Sequence, residues 1–301
     1  MRALILGGGG TLGAFSAGAL QALEERGWKP EMCIGSSAGG INLLRATVGG
    51  AAEATAFWSD LDWSVLLREA VGDNPFNGGM LSERAFYERV ERDVDFEALH
   101  RDRRAIGFLV VDMETGRVSV RGNRTEPTPE ALRTVSRAAY ALPPLLPPVQ
   151  DGSRWLADGG LLHNAPLESA LRLGATEIVY LCNVQVLPHE GYAHPATLPA
   201  TGRYLDIFFR RASNVGFADQ QITEHLWRGV PLLVIAPPPT RGLTSLVRYM
   251  MPSSRGLRAL IKLGRVRATE AIDHWTTHGP GKAWPVVPAP VSARQTVVVR
   301  S

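Results

Sequence analysis

The chain has 301 residues, 45% of them apolar, and a formal net charge of +3. That is enough apolar material for a sizeable core, and it contains no run of about eighteen apolar residues such as a transmembrane helix needs. The N-terminus carries one cation, Arg2, and passes directly into strand-like sequence, so no signal peptide is read there.

Two glycine-rich turns lie within the first forty residues. The apolar run 3–6 reads as a strand and leads into Gly7-Gly8-Gly9-Gly10-Thr11-Leu12-Gly13. Residues 12–26 follow as a helix, with Leu12, Phe15, Ala19, Leu20 and Leu23 on one face and Gly27 as its stop. A second strand over 31–35 enters Gly35-Ser36-Ser37-Ala38-Gly39, and a helix follows over 37–48. The chain then reads as helical to about residue 100, interrupted by a loop at 72–79. Strands are expected at 104–112, 117–121, 154–156, 176–182 and 231–235, and a helix at 129–140. Pro143, Pro144, Pro147 and Pro148 exclude regular structure between them. Alternating strands and helices predict a three-layer α/β/α fold with a mainly parallel central sheet. Cys33 and Cys182 are the only cysteines, each within an expected buried strand, which argues against a disulfide framework and for a reducing, cytoplasmic compartment.

The second turn has the G-x-S-x-G spacing of a nucleophile elbow with Ser37 at its apex; Ser36 occupies the variable position. A serine hydroxyl needs a base beside it, and the developing oxyanion needs fixed donors. The N–H groups of Gly8, Gly9 and Gly10 are candidate donors. Asp158, in Asp158-Gly159-Gly160, is the leading candidate base. Seven histidines compete with it: His100, His163, His189, His194, His225, His274 and His278. Only His163 lies near the Asp158 turn.

These blocks resemble the patatin-like phospholipase family. The resemblance rests on Gly7–Gly13 with Ala14, on Gly35–Gly39, and on Asp158–Gly160 followed by Asn164 and Pro166. The Ser136–Val149 stretch and Val111-Asp112 with Thr115-Gly116 match in the same order, and the whole spans roughly residues 3–182. The resemblance implies a Ser37–Asp158 dyad without histidine, an oxyanion hole at Gly8, Gly9 and Gly10, no metal or other cofactor, and a lipid acyl ester as substrate. One departure is Leu12, where many members carry a cation.

Three other readings stay open, one of them a folded but inactive member that acts as a binding module, against which the intact Ser37 and Asp158 argue. Gly8, Gly10 and Gly13 satisfy G-x-G-x-x-G, the mark of a dinucleotide-binding turn, although that fold wants an acidic residue ending the second strand. A Ser-His-Asp α/β-hydrolase would also use the elbow, but with more strands before it. The domain organisation expected is a catalytic domain over 1–236 and a basic helical extension over 237–301. No acidic residue lies between Glu224 and Glu270, where Arg228, Arg241, Arg248, Arg255, Arg258, Lys262, Arg265 and Arg267 fall. Leu243, Leu246, Val247, Met250 and Met251, then Leu257, Leu260 and Ile261, repeat at helical spacing. Such a stretch fits peripheral contact with an anionic membrane or packing on the core equally well, and no nucleic acid is expected as a partner.

Overall fold

The computed structural model describes residues 1–61, 81–143, 145–163, 165–183, 226–237 and 253–282. The predicted loop at 72–79, Pro144, Asn164, His189, His194, His225, and the stretch with Arg241, Leu243, Leu246, Val247, Arg248, Met250 and Met251 lie outside the described residues.

The strands are β1 (Arg2–Leu6), β2 (Met32–Gly35), β3 (Ala105–Asp112), β4 (Val118–Gly122), β5 (Val149–Asp151), β6 (Arg154–Asp158), β7 (Glu177–Leu181), β8 (Leu226–Trp227) and β9 (Val230–Ile235). They form one sheet in the order β5-β6-β3-β2-β1-β7-β9-β8, with β4 paired to β3. The five central strands β3-β2-β1-β7-β9 run parallel, and the outer pairings are antiparallel. β1, β2 and β7 are apolar nearly throughout because helices cover both faces of the sheet. This is the three-layer architecture expected from the alternation of elements.

The described helices are α1 (Gly13–Glu25), α2 (Ala38–Gly49), α3 (Ala51–Ser59), α4 (Glu83–Glu91), α5 (Phe96–His100), α6 (Pro129–Ala138), α7 (Leu167–Arg172) and α8 (Ser254–His278). Four of them start on a side-chain cap: Ser82, Asp95, Thr128 and Ser253 each accept a backbone N–H from the first turn. The strands expected at 104–112, 117–121, 176–182 and 231–235 are present to within a residue or two. β5 and β8 have three and two residues, too few for an alternating pattern to register.

The last described helix, α8, packs along α1. At Gly18 and Gly264 the two backbones come so close that a Cβ would lie 1.9 Å from the carbonyl oxygen of Ile261 or Phe15. Leu257, Leu260, Ala268, Ala271, Ile272 and Trp275 are buried in the same core as the sheet. Arg26–Asp273 and Arg265–Glu25 ion pairs join the rims. The apolar face over 257–261 is therefore turned on the protein, while Arg255, Arg258, Lys262 and Arg265 face solvent. No described helix is long and apolar enough to cross a membrane.

Register then places the candidate turns. Leu6, Gly35 and Leu181 are aligned across β1, β2 and β7, and Gly35 is aligned with Phe108 on β3. The glycine loop, the Ser37 turn and Asn183 all leave the sheet from this carboxyl edge. Asp158 meets the same edge from β6, opposite Val110. Ligands of parallel α/β sheets bind at such an edge.

Candidate active site

Ser37 is the N-cap of α2 and adopts φ 51°, ψ −128°, a backbone conformation that L-residues rarely take. Strain of this kind costs about 1–3 kcal/mol and persists only where neighbours over-determine it. Here they do. Ser36 N–H donates to the Leu6 carbonyl at 3.1 Å, Ser37 N–H to the Ala139 carbonyl at 2.6 Å, and Gly40 N–H to the Ser37 carbonyl at 2.9 Å. Gly39 lies so close to β1 that a Cβ there would be 2.0 Å from the Leu6 carbonyl oxygen, which explains the small residue the elbow spacing demands. The turn leaves Ser37 half-buried while Ser36 and Ala38 are buried. Of the two serines, the apical one is reachable.

Asp158 ends β6 and is 4% exposed. Its Oδ1 accepts the Gly160 N–H at 2.8 Å, and its own N–H donates to the Ala141 carbonyl at 2.9 Å. Burial pushes its carboxyl up to about 7, against the Gly160 N–H and the Ser37 hydroxyl, which as hydrogen-bond donors favour the charged form. Ser37 and Asp158 are thus brought together from turns 121 residues apart in sequence. A carboxyl poised near neutrality beside a hydroxyl is suited to accept its proton.

None of the histidines described takes part in this pairing. His163 is half-buried, and desolvation holds its imidazole below the usual range; among the described residues its ring makes no hydrogen bond. His100 bonds the Glu126 carbonyl, and His274 and His278 stack on each other at the end of α8.

The glycine loop turns beside Ser37. Gly9 (φ 154°) and Gly10 (φ 56°) use conformations open to glycine, and Leu12 N–H closes the turn on the Gly9 carbonyl at 3.1 Å. Among the described residues the Gly9 and Gly10 N–H groups meet no acceptor, and Gly10 is exposed; Gly8 is buried. Leu12, at the position of the family's usual cation, is buried in the core and presents nothing to the site. No acidic residue ends β2, as a dinucleotide fold would want: Gly35 runs directly into Ser36. A single strand, β1, precedes it in sequence.

Two partners of the site, Glu91 and Asn183, had no sequence signal, whereas the segment 139–141 lies within the Ser136–Val149 stretch of the resemblance. The segment 139–141, after α6, holds Ser37 through the Ala139 carbonyl and Asp158 through the Ala141 carbonyl. Its helix is anchored by Glu91, a buried carboxylate that accepts from Arg133 at 2.7 Å and from Arg137 at 2.5 and 2.8 Å. Asn183, just past β7, donates to the Gly7 carbonyl at 2.7 Å.

Comparison with known proteins adds to this geometry. A family model described as Patatin-like phospholipase matches residues 4–171, more than half of the chain. The crystal structure of VipD from Legionella pneumophila aligns with a TM-score of 0.52 at 15% identity, covering 90% of this chain and 66% of VipD. The type III effector protein ExoU aligns with a TM-score of 0.45 at 16% identity, covering 90% of this chain and 53% of ExoU. The chain therefore spans just under two thirds of the first and about half of the second. No curated protein matches the sequence.

Proposed function

The chain belongs to the patatin-like phospholipase family, and from that membership we propose that it hydrolyses lipid acyl esters with Ser37 as nucleophile and Asp158 as base. The observation that carries the proposal is the pairing of a half-buried serine, at positive φ, with a buried carboxyl raised to about 7. In the ionised state Asp158 accepts the Ser37 proton as Oγ attacks the ester carbonyl. The oxyanion of the tetrahedral intermediate is held by backbone N–H groups of the loop at Gly8, Gly9 and Gly10. The proton passes to the leaving alcohol, and an acyl-enzyme remains. Water then attacks that ester with Asp158 again as base, releasing the fatty acid and restoring Ser37. No metal or cofactor enters these steps.

Phospholipids and lysophospholipids are the substrate class the family membership favours. A contact with anionic lipid would run through Arg255, Arg258, Lys262 and Arg265, and with the apolar face of α8 turned inward it is electrostatic and weakens with salt. Cys33 and Cys182 are buried and form no disulfide, which suits a cytoplasmic enzyme.

The test is hydrolysis of a p-nitrophenyl acyl ester, followed by a panel of lipid classes, by wild type, Asp158→Asn and His163→Ala. The dyad expects Asp158→Asn to be inactive and His163→Ala to retain turnover. The reverse result would replace it with a histidine-based triad.

A further inference from the structure

Behind the glycine loop runs a chain of buried polar groups that links it to the helix carrying Ser37. Trp58 Nε1 on α3 donates to Asn42 Oδ1 on α2 at 2.6 Å. The Asn42 amide donates to Ser16 Oγ on α1 at 2.7 Å and to the Gly13 carbonyl at 2.8 Å. The Ser16 hydroxyl donates to that same carbonyl at 3.1 Å, and the Ser16 backbone N–H donates to Asn183 Oδ1 at 3.2 Å. Asn183 completes the chain on the Gly7 carbonyl at 2.7 Å. Ser16, Asn42 and Asn183 are 0% exposed, and Trp58 is 3% exposed.

Burying an amide or a hydroxyl is unfavourable unless its hydrogen bonds are made, and an apolar filling of the same shape would be about as stable. What the polar filling adds is direction. Asn42 lies on α2, the helix capped by Ser37, and Asn183 grips the first peptide of the loop. That peptide is planar and trans, so holding the Gly7 carbonyl on Asn183 aims the Gly8 N–H to the opposite side. Asn183 also backs the next turn of the loop: a Cβ at Gly9 would lie 2.7 Å from the Asn183 Cβ. Ser16 joins the two asparagines, so loop and nucleophile helix share one rigid connection.

We infer that Asn183 and Asn42 are positioning residues for the reaction proposed above, on which this inference rests: they fix the loop amides relative to Ser37 and touch no substrate atom. A role of this kind acts on charge that develops in the transition state. It is therefore read in kcat, with KM and the pH midpoint unmoved. A purely structural role would lower the fraction of folded protein and leave each folded molecule at full rate.

The experiment measures Asn183→Ala, Asn42→Ala and the double variant. Each is assayed on a p-nitrophenyl ester below its melting transition, and rates are divided by the number of Ser37 sites that a fluorophosphonate titrates. The expected result is a fall in kcat of about 10- to 100-fold for each, KM within about twofold of wild type, and a double variant no worse than about the larger single loss. Wild-type kcat per titrated site in either folded single variant overturns the inference. If the alanine variants do not fold, Trp58→Phe, which removes only the terminal donor, decides it. A drop of about two- to fivefold in kcat supports the inference, and an unchanged kcat overturns it. Wild type that neither turns over the ester nor takes the probe at Ser37 overturns the acyl-hydrolase reading, and the inference with it.

Discussion

On the nucleophile side of the candidate site, the glycine loop and α2 are tied together by neutral groups that no solvent reaches. On the base side, the segment 139–141 is tied through α6 to Glu91 by charges, and Arg133 and Arg137 are 50% and 30% exposed. The difference bears on how each side fails. Truncating a member of a closed, buried polar chain leaves its partner unsatisfied, with no water to replace it. Truncating Glu91 leaves two guanidiniums that water still solvates, and the loss is softened accordingly. In the proposed mechanism, the side that aims amides at a developing charge is the rigid one. The side that holds Asp158 by the Ala141 carbonyl and Ser37 by the Ala139 carbonyl rests on charges that water reaches.

Substitutions in the proposed reacting pair itself, one residue from each side, should have the largest effect. Ser37→Ala and Asp158→Asn each remove a member of the proposed dyad and should lower kcat by about 10⁴-fold or more, while Ser36→Ala stays within roughly tenfold of wild type. Steady-state kinetics on a soluble ester reads both. Next comes the rigid side alone. Gly9→Ala forces a side chain into φ 154° and against Asn183, and should cost about 10²-fold in kcat with little change in KM. A Gly9→Ala protein that folds and keeps full activity would remove the loop from the mechanism. The softer side follows. Glu91→Gln should lower stability by about 2 kcal/mol, below the range of a fully buried pair, and kcat by less than about tenfold. Denaturant melts and kinetics on the same preparation separate the two effects.

The smallest effect is one of stability, and its sign is opposite. The Asp158 carboxyl is near 7 in the folded protein and near 3.8 in an unfolded chain. Between those values the folded state holds the extra proton, so stability falls as pH rises through that window, and the deficit is complete above about 7. Asp158→Asn removes the ionisation and keeps an acceptor for Gly160. The inactive variant should therefore melt above wild type at pH 8, by roughly 5 °C, and the gap should close toward pH 4. Equal melting temperatures at pH 8 would show that the carboxyl is not raised.

Much of this was legible in the sequence. The two glycine turns announce themselves because a strand, a turn with small residues and a helix leave a local pattern. Asp158 stood out by its glycines and, with the resemblance, by its order in the chain. Asn183 did not, because it follows β7 as a single polar residue and its partners, Gly7 and Ser16, are 176 and 167 residues away. Glu91 was invisible for the same reason: it ends an ordinary charged helix and meets Arg133 and Arg137 only in the fold. β5 follows two prolines and has three residues, too short for any period. For α8, amphipathicity gave the helix but not the occupant of its apolar face. Gly18 and Gly264, which let the two backbones touch, are the residues that decide it, and neither belongs to a local motif.

The pairing of Ser37 with Asp158 is most directly tested by the rate at which a fluorophosphonate labels the intact protein as a function of pH, with the modified residue located by mass spectrometry. The account predicts phosphonylation at Ser37, a rate that rises with pH through one ionisation near 7, and the loss of that rise in Asp158→Asn. Labelling at another residue, or an Asp158→Asn protein labelled at Ser37 as fast as wild type with the same pH dependence, would contradict it.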